Sequence, residues 1–445
     1  MSGADFASTA EQLTHVMQGL TLKSHTKGEW DGELTASHHD YVRDDKRQNA
    51  ASNPLPNALS GGAGTLADGR SSGWTQLAAK AVWRPDGPQG AHIVEVGVQQ
   101  DRYALRYATT ALPHDWTAED ANATGATRAS SVRGHTALHS AHAQHAWGFA
   151  PRWKAVLGLR AEDWTTSDGV TEFSAASAWR HPTRRARFAS PEAALAYQLA
   201  DDLVLKASLG RGVRMPTVSE LYGATSTSNS QYINDPTLAP ERSWTTELTA
   251  EKDFGDALLR LTCFTETTRD SLYSQTTFDA SANKNVSRVQ NVARIETRGL
   301  ELALQGSDVV GKGLDLSASA TFADSVIKDN NGFVLVPGDT LGKRQPNIPA
   351  WRASALVSQR FKANWTLTWG ARYSGKQYRT LNNADLNGST YQGASRYFTT
   401  DVRLRHQFTR PWSAALGIDN LNNFQYWNFH PYPQRSYSAE LRFDL

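Results

Sequence analysis

Apolar and polar residues alternate with a period of two through most of this chain, as expected of strands with two chemically different faces. At the C-terminus Tyr437, Ala439, Leu441, Phe443 and Leu445 take one phase, while Ser438, Glu440, Arg442 and Asp444 take the other. Leu203, Leu205, Ala207 and Leu209 oppose Lys206 and Ser208 in the same way, and Leu314, Leu316, Ala318, Ala320 and Phe322 oppose Asp315, Ser317, Ser319 and Thr321. Further on, Leu367, Trp369, Ala371 and Tyr373 oppose Thr368, Gly370 and Arg372, and Val402, Leu404 and Phe408 oppose Asp401, Arg403, Arg405 and Gln407. The pattern predicts about seventeen strands, centred near residues 19, 36, 78, 99, 139, 159, 193, 208, 248, 265, 296, 320, 354, 372, 402, 419 and 440.

Alternation alone fits a soluble sandwich, whose apolar faces meet in a core, and equally a membrane barrel, whose apolar face meets lipid and whose polar face lines a wet lumen. Connection lengths separate the two. Short turns around Lys27-Gly28, residues 85–90, Ala150-Pro151, Asp201-Asp202, Gly255-Asp256, residues 311–313, Lys362-Ala363 and Arg410-Pro411 alternate with long polar stretches such as residues 44–73 and 215–241. That asymmetry belongs to outer-membrane barrels, with short periplasmic turns and long extracellular loops. The expected fold class is therefore all-β, an antiparallel up-and-down transmembrane β-barrel. A chain ending on an amphipathic strand agrees, because an unpaired backbone group in hydrocarbon costs several kcal/mol and the last strand of a barrel must pair.

Tryptophan placement points the same way. Trp30, Trp83, Trp147, Trp153, Trp365 and Trp412 lie close to short turns, and Trp74, Trp164, Trp244, Trp351 and Trp427 lie near the ends that meet long loops. Two aromatic girdles at headgroup level would have this arrangement.

Composition narrows the remaining classes. The 445 residues carry a formal charge of +2 without basic clusters, which leaves no electrostatic footprint for nucleic acid. A mean hydropathy of −0.52 is polar for a membrane protein but suits a barrel, in which half of each strand faces water. No apolar run reaches the roughly 18 residues of a membrane-crossing helix. The single Cys263 excludes an intrachain disulfide; it shares the phase of Leu259 and Leu261, so it reads as a small lipid-facing residue. No G-x-S-x-G elbow, H-E-x-x-H helix or phosphate-binding loop is present, and an enzyme is not expected.

The opening MSGADFASTAEQ lacks the basic and apolar regions of a secretion signal. With the short turns on one side, the first and last predicted strands run in the same direction and cannot close an antiparallel ring, whereas bacterial single-chain barrels have even strand numbers. Both observations lead to the expectation that the numbering starts inside a longer precursor, or that the frame is truncated, with strands missing upstream.

Five ordered motifs carry a family resemblance. They are GRGVRMPTVSELYG at 210–223, INDPTLAPERSWTTELTAEKDF at 233–254, NVARIETRGLELALQG at 291–306, LGIDNLNNFQYW at 416–427, and the terminal strand. Pro216 bars strand pairing where the chain leaves the wall, and Pro236 and Pro240 stiffen its return. A bulge at Gly299, between Arg298 and Glu301, would re-aim its strand before Leu300, Leu302 and Leu304. Asp419-Asn420 and Asn422-Asn423 form a turn. Together these motifs resemble the C-terminal barrel of TonB-dependent outer-membrane receptors, over the whole chain.

The resemblance implies a barrel of about 22 strands, of which some 17 are here, with a lumen filled by an N-terminal plug. Residues 1–445 would then form one N-terminally truncated barrel domain without plug, TonB-contacting segment or signal peptide. It also implies a monomer integral to the bacterial outer membrane and surrounded by its lipid, a TonB energy-transducing partner, no cofactor, and uptake of a scarce nutrient, by frequency a ferric siderophore or other metal chelate. Leu445 departs from the family, whose last residue is usually aromatic; Phe443 keeps the phase but not the position. Two other readings of the same residues are a passive pore and a non-functional receptor remnant.

Candidate ligand contacts fall on the long loops. His430, Tyr432 and Arg435 cluster with two prolines in NFHPYPQRSY, where stacking and charge-assisted hydrogen bonds could hold an aromatic, anionic chelate; the plainer reading is a stiff hairpin shielding the mouth. Tyr222 and Tyr232 in the 216–240 loop are candidates of the same kind. His135, His139 and His145 share one strand face and are candidate metal ligands. Same-face neighbours sit about 7 Å apart, so spacings of four and six positions prevent these three from holding one ion, and a row of hydrated or interfacial histidines is the alternative. His38 and His39 are adjacent and face opposite ways.

Overall fold

The computed structural model describes residues 7–119, 124–174, 176–226, 230–279, 284–331, 336, 338–362 and 364–444; the expectations for Ala363 and Leu445 lie outside these. Seventeen long strands follow one another: β1 Thr9–Lys23, β2 Trp30–Asn49, β3 Gly73–Trp83, β4 His92–Leu112, β5 Thr127–Ala150, β6 Trp153–Ser174, β7 Arg184–Ala200, β8 Leu203–Arg214, β9 Glu241–Asp253, β10 Ala257–Asp279, β11 Lys284–Gly306, β12 Leu314–Asp329, β13 Trp351–Phe361, β14 Trp365–Ser374, β15 Tyr397–Gln407, β16 Trp412–Asp419 and β17 Ser436–Phe443. Each predicted strand centre falls inside one of them. Each strand pairs antiparallel with the next, making one up-and-down wall. Among the described residues β1 pairs only with β2 and β17 only with β16, so the two outer strands run in the same direction with free edges.

Register turns the sequence alternation into two continuous faces. Leu205, Ala250, Leu261, Leu302, Ala320, Ala353 and Tyr373 stand side by side across seven strands of the outer face. Leu248, Cys263, Leu300, Phe322 and Trp351 form the next row, which places Cys263 on the apolar side as expected. These side chains are left open, with Leu34 and Val98 both 57% exposed, as an apolar band facing outward requires.

The inner face is a polar ladder. Lys80 bridges Glu33 and Glu95 at 3.6 Å each, and the His142 Nε2 lies 3.4 Å from Glu95. Arg160 donates to Ser140 at 2.7 Å, Arg372 pairs with Asp401 and Arg403 with Glu440, each at 3.0 Å. Alternating charges of both signs keep such a wall wet without leaving an uncompensated field.

One aromatic girdle follows expectation. Trp30 stacks on Trp83, Trp153 on Tyr197 and Trp365 on His406, and Trp412 tilts against Phe443, all at the short-turn rim. At the other rim Trp244 and Trp351 face outward and are exposed. Trp74 and Trp164 do not: they share the inner-face phase, and Trp164 is only 2% exposed beneath a folded-in loop. Trp427 sits in a loop hairpin. Position near a strand end was the sequence signal for all five, but only the phase decides which way an indole points.

Gly299 also differs from expectation. Its strand pairs without a shift from Gly306 to Ile295 on both sides, so there is no bulge at Gly299; the shift in this strand lies at Arg294/Ile295. The glycine serves close approach instead, since a Cβ there would stand 2.2 Å from the Phe264 ring.

Candidate functional site

The long loop after β8 determines what the mouth of the wall looks like. Pro216 ends the strand as predicted, and the chain turns at once into α1 (Val218–Tyr222). Thr217 and Glu220 cap this single turn reciprocally: the Glu220 amide donates to the Thr217 hydroxyl at 3.2 Å, and the Thr217 amide to the Glu220 carboxylate at 2.8 Å. Thr-x-x-Glu is a legible helix-start signal at 217–220, and the strand-based reading passed over it.

Helix α1 lies against the inner wall. Val218, Leu221 and Tyr222 pack with Val132, Trp164, Leu238 and Val289 in a small buried core. Tyr222 is 2% exposed; its hydroxyl bonds the Thr166 hydroxyl at 2.9 Å, its carbonyl accepts from Thr171 at 2.7 Å, and its ring stacks on His181 at 4.7 Å. Gly169 permits this, because a Cβ there would meet the Tyr222 ring at 2.4 Å. The return segment is fastened by Arg184, which donates to the carbonyls of Pro236 and Leu238, and by Asn291, which exchanges two hydrogen bonds with the Ala239 backbone. Burial pushes the His181 imidazole below its usual range, so it is held neutral against Tyr222.

Beside α1, a cavity of about 490 Å³ opens between the loop and the inner wall, lined by Trp74, Tyr103, Leu105, Leu138, Trp164, Met215 and Val218. An aromatic rung leads to it across β1, β2 and β3: His15 stacks on Tyr41 at 4.0 Å, His39 tilts against Tyr41 at 5.3 Å, and Trp74 meets His39 edge-on at 5.9 Å. The His39 Nε2 is buried and has no hydrogen-bond partner. Flat π-faces and apolar walls suit a planar aromatic ligand. Trp74, Tyr103, Leu138 and Trp164 sit on strands expected from sequence, but their convergence with Met215 and Val218 needs the register of four strands and the fold of a distant loop.

The residues singled out from sequence have different surroundings. Tyr222 is consumed by the core just described. Tyr232 accepts a hydrogen bond from Asn234 at 3.0 Å within the same loop. Tyr432, 44% exposed, stacks on Tyr426; His430 packs edge-on to Tyr391; the Arg435 guanidinium donates to the Leu421 carbonyl. His430, Tyr432 and Arg435 thus lie on one loop but engage three separate neighbours.

The histidines of β5 are spread along the outer face. His145 bonds His92 at 2.9 Å and stacks within the lower girdle beside Trp147. His139 stands between Gln100 and Asp163 on the neighbouring strands, and His135 lies 3.4 Å from Asp168. Among the described residues no group of three histidine, cysteine or acidic side chains could hold a metal ion. His38 bonds Thr75 on the outer face and His39 points inward, as alternation requires.

An up-and-down wall with an apolar exterior, a charged interior and a loop folded into its mouth defines a receptor-type outer-membrane barrel. The sequence matches the family described as TonB dependent receptor-like, beta-barrel over residues 4–421, and the chain belongs to that family. Its members are outer-membrane transporters that work with TonB, and not enzymes.

Solved structures share the fold. The copper transporter OprC superposes with a TM-score of 0.74 at 14% identity, covering 99% of this chain and 67% of that one. The ferric citrate transporter FecA gives 0.71 at 14%, covering 96% and 61%, and the ferric yersiniabactin uptake receptor FyuA from Yersinia pestis gives 0.68 at 15%, covering 97% and 61%. This chain therefore spans roughly two thirds of their length. No curated protein matches the sequence.

Proposed function

We propose that this chain is the barrel of an energised outer-membrane receptor that takes up a metal chelate of the ferric siderophore class. The aromatic cavity at the mouth carries this reading: Tyr41, Trp74, Tyr103 and Trp164 supply stacking surface. Its volume of about 490 Å³ lies within the range of small-molecule sites, at the place where a ligand would pass from loops to lumen. His430 and Tyr432, exposed on the last loop, can add a rim contact. The apolar face stands in lipid, the polar ladder lines a hydrated lumen, and the receptor acts as a monomer. Proteins of the same fold that transport copper, ferric citrate and ferric yersiniabactin set the class of ligand to try.

The test is tryptophan-fluorescence titration of the purified chain with ferric catecholate, hydroxamate and citrate chelates, haem, cobalamin and copper. One ligand class is expected to bind, with affinity falling about tenfold or more in Trp74→Ala and Tyr103→Ala, as loss of a buried aromatic contact implies. No binding by any of them, together with steady ungated conductance in planar bilayers, would leave the passive pore as the correct reading.

A further inference from the structure

The β1–β2 hairpin brings together three side chains that the lining of the aromatic cavity does not include. His15 and Met17 are two positions apart on β1 and so share a face, and Met17 stands directly opposite His39 in the register of the hairpin. His39 has the inner phase, in edge-on contact with Trp74, so all three belong to the lumen side of the wall. The histidines of β5 are separated by four and six positions and cannot share an ion. Here the separations are one same-face step of about 7 Å and one cross-strand pair with Cβ atoms about 5 Å apart.

The two imidazoles already have the spacing that one ion needs. Their ring centroids are 5.7 Å apart, with the planes at 59°. Two imidazoles whose nitrogens each sit about 2 Å from a shared metal place their centroids about 5–6 Å apart. Tyr41 stacks on the face of His15 at 4.0 Å, which fixes the ring plane and leaves its edge for ligation. The His39 Nε2 is buried without a hydrogen-bond partner, and a metal–nitrogen bond offsets the cost of that state.

Met17 sets the choice of metal. Among the described residues no third histidine, cysteine or carboxylate joins the two histidines, so the thioether is the third donor at hand. Its side chain is 66% exposed, and at Gly19, the next inner-face position, nothing lies within 4 Å of where a Cβ would stand, which leaves a flexible methionine room to turn towards the rings. Without a hard oxygen donor the set discriminates against magnesium, calcium and manganese. A thioether selects Cu(I), and imidazole suits copper as well.

We propose that His15, Met17 and His39 form a binding site for cuprous ion on the inner wall. The site goes beyond the chelate-uptake reading and rests on it only in taking this face as the lumen. Because the aromatic cavity shares none of its three ligands, the two sites fill independently.

The test uses the purified full chain in detergent, with Cys263→Ser as background so that the single thiol takes no part. Cu(I), kept reduced with ascorbate under anaerobic conditions, is titrated in competition with the chromophoric chelator bicinchoninate, and Zn(II) in competition with a zinc indicator. One retained Cu(I) per chain is expected. Its affinity should fall about tenfold or more in each of His15→Gln, Met17→Leu and His39→Gln, since even changes behind the ligands of a metal site cost that much, and stay unchanged in His38→Gln, whose side chain faces outward. X-ray absorption at the copper edge of the unsubstituted site should show sulfur in the first shell, and Met17→Leu should remove it. No Cu(I) retained against the chelator, equal retention in all three variants, a first shell without sulfur, or tighter binding of Zn(II) than of Cu(I) would each overturn the proposal. Ferric-chelate titrations of the same proteins keep the two readings apart: Tyr103→Ala should weaken the chelate and leave Cu(I) binding intact, Met17→Leu should do the reverse, and failure of every ferric chelate to bind would overturn the uptake reading alone.

Discussion

Tyr222 shows how a loop residue can read as a ligand contact and be structural. A tyrosine in a long polar loop carries no sequence signal of burial; here its hydroxyl, carbonyl and ring are all taken by β6 and His181. Tyr222→Phe should cost about 1 kcal/mol, the worth of one buried hydrogen bond, whereas Gly169→Ala should cost about 1–3 kcal/mol by driving a methyl group into the ring. Both are checked by the rate at which protease cleaves the 215–240 segment, with Gly169→Ala faster. His181 adds a pH dependence with a defined sign. Its folded pKa is lowered, so the unfolded loop binds the proton more readily; the stabilisation is complete above the ordinary value of 6.5 and is lost as pH falls through the folded value. Cleavage of the same segment should therefore accelerate on acidification below about pH 6.5, and His181→Phe should flatten the profile.

Among the strands, phase carries most of the information. Leu302 stands in the outer row and Thr321 on the inner wall opposite Glu301, although they occupy adjacent strands one residue apart in register. Leu302→Arg should destabilise the wall in lipid by about 2–4 kcal/mol, because it buries a charge in hydrocarbon, while Thr321→Arg should fold normally beside Glu301. Equilibrium urea unfolding in vesicles measures both. The same logic explains why the five upper tryptophans divide: proximity to a strand end is shared, but Trp244 and Trp351 have outer phase and Trp74 and Trp164 inner phase. The misplaced bulge at Gly299 has a related cause. A glycine within a strand reads equally as a kink or as room for a neighbour, and the Phe264 ring that needs the room sits on another strand.

The whole molecule is a wall with one greasy surface and one wet surface, and its tryptophans report which is which. In vesicles of brominated lipid, fluorescence from Trp30, Trp83, Trp351 and Trp412 should be quenched, and that from Trp74 and Trp164 spared. Single Trp→Phe variants assign each contribution, and quenching of Trp164 would mean that the two faces are exchanged.

Strand number, direction, the two faces and the short-turn rim were all determined by the sequence, since each follows from local alternation, proline and turn residues within a few positions. The free edges of β1 and β17 follow too, from counting strands. What only the tertiary structure decided is where distant strands and loops meet: α1 folded against Trp164 and the aromatic cavity beside it. Periodicity specifies the face a residue takes. Register and loop packing, which sum interactions over residues far apart in the chain, specify what that face touches.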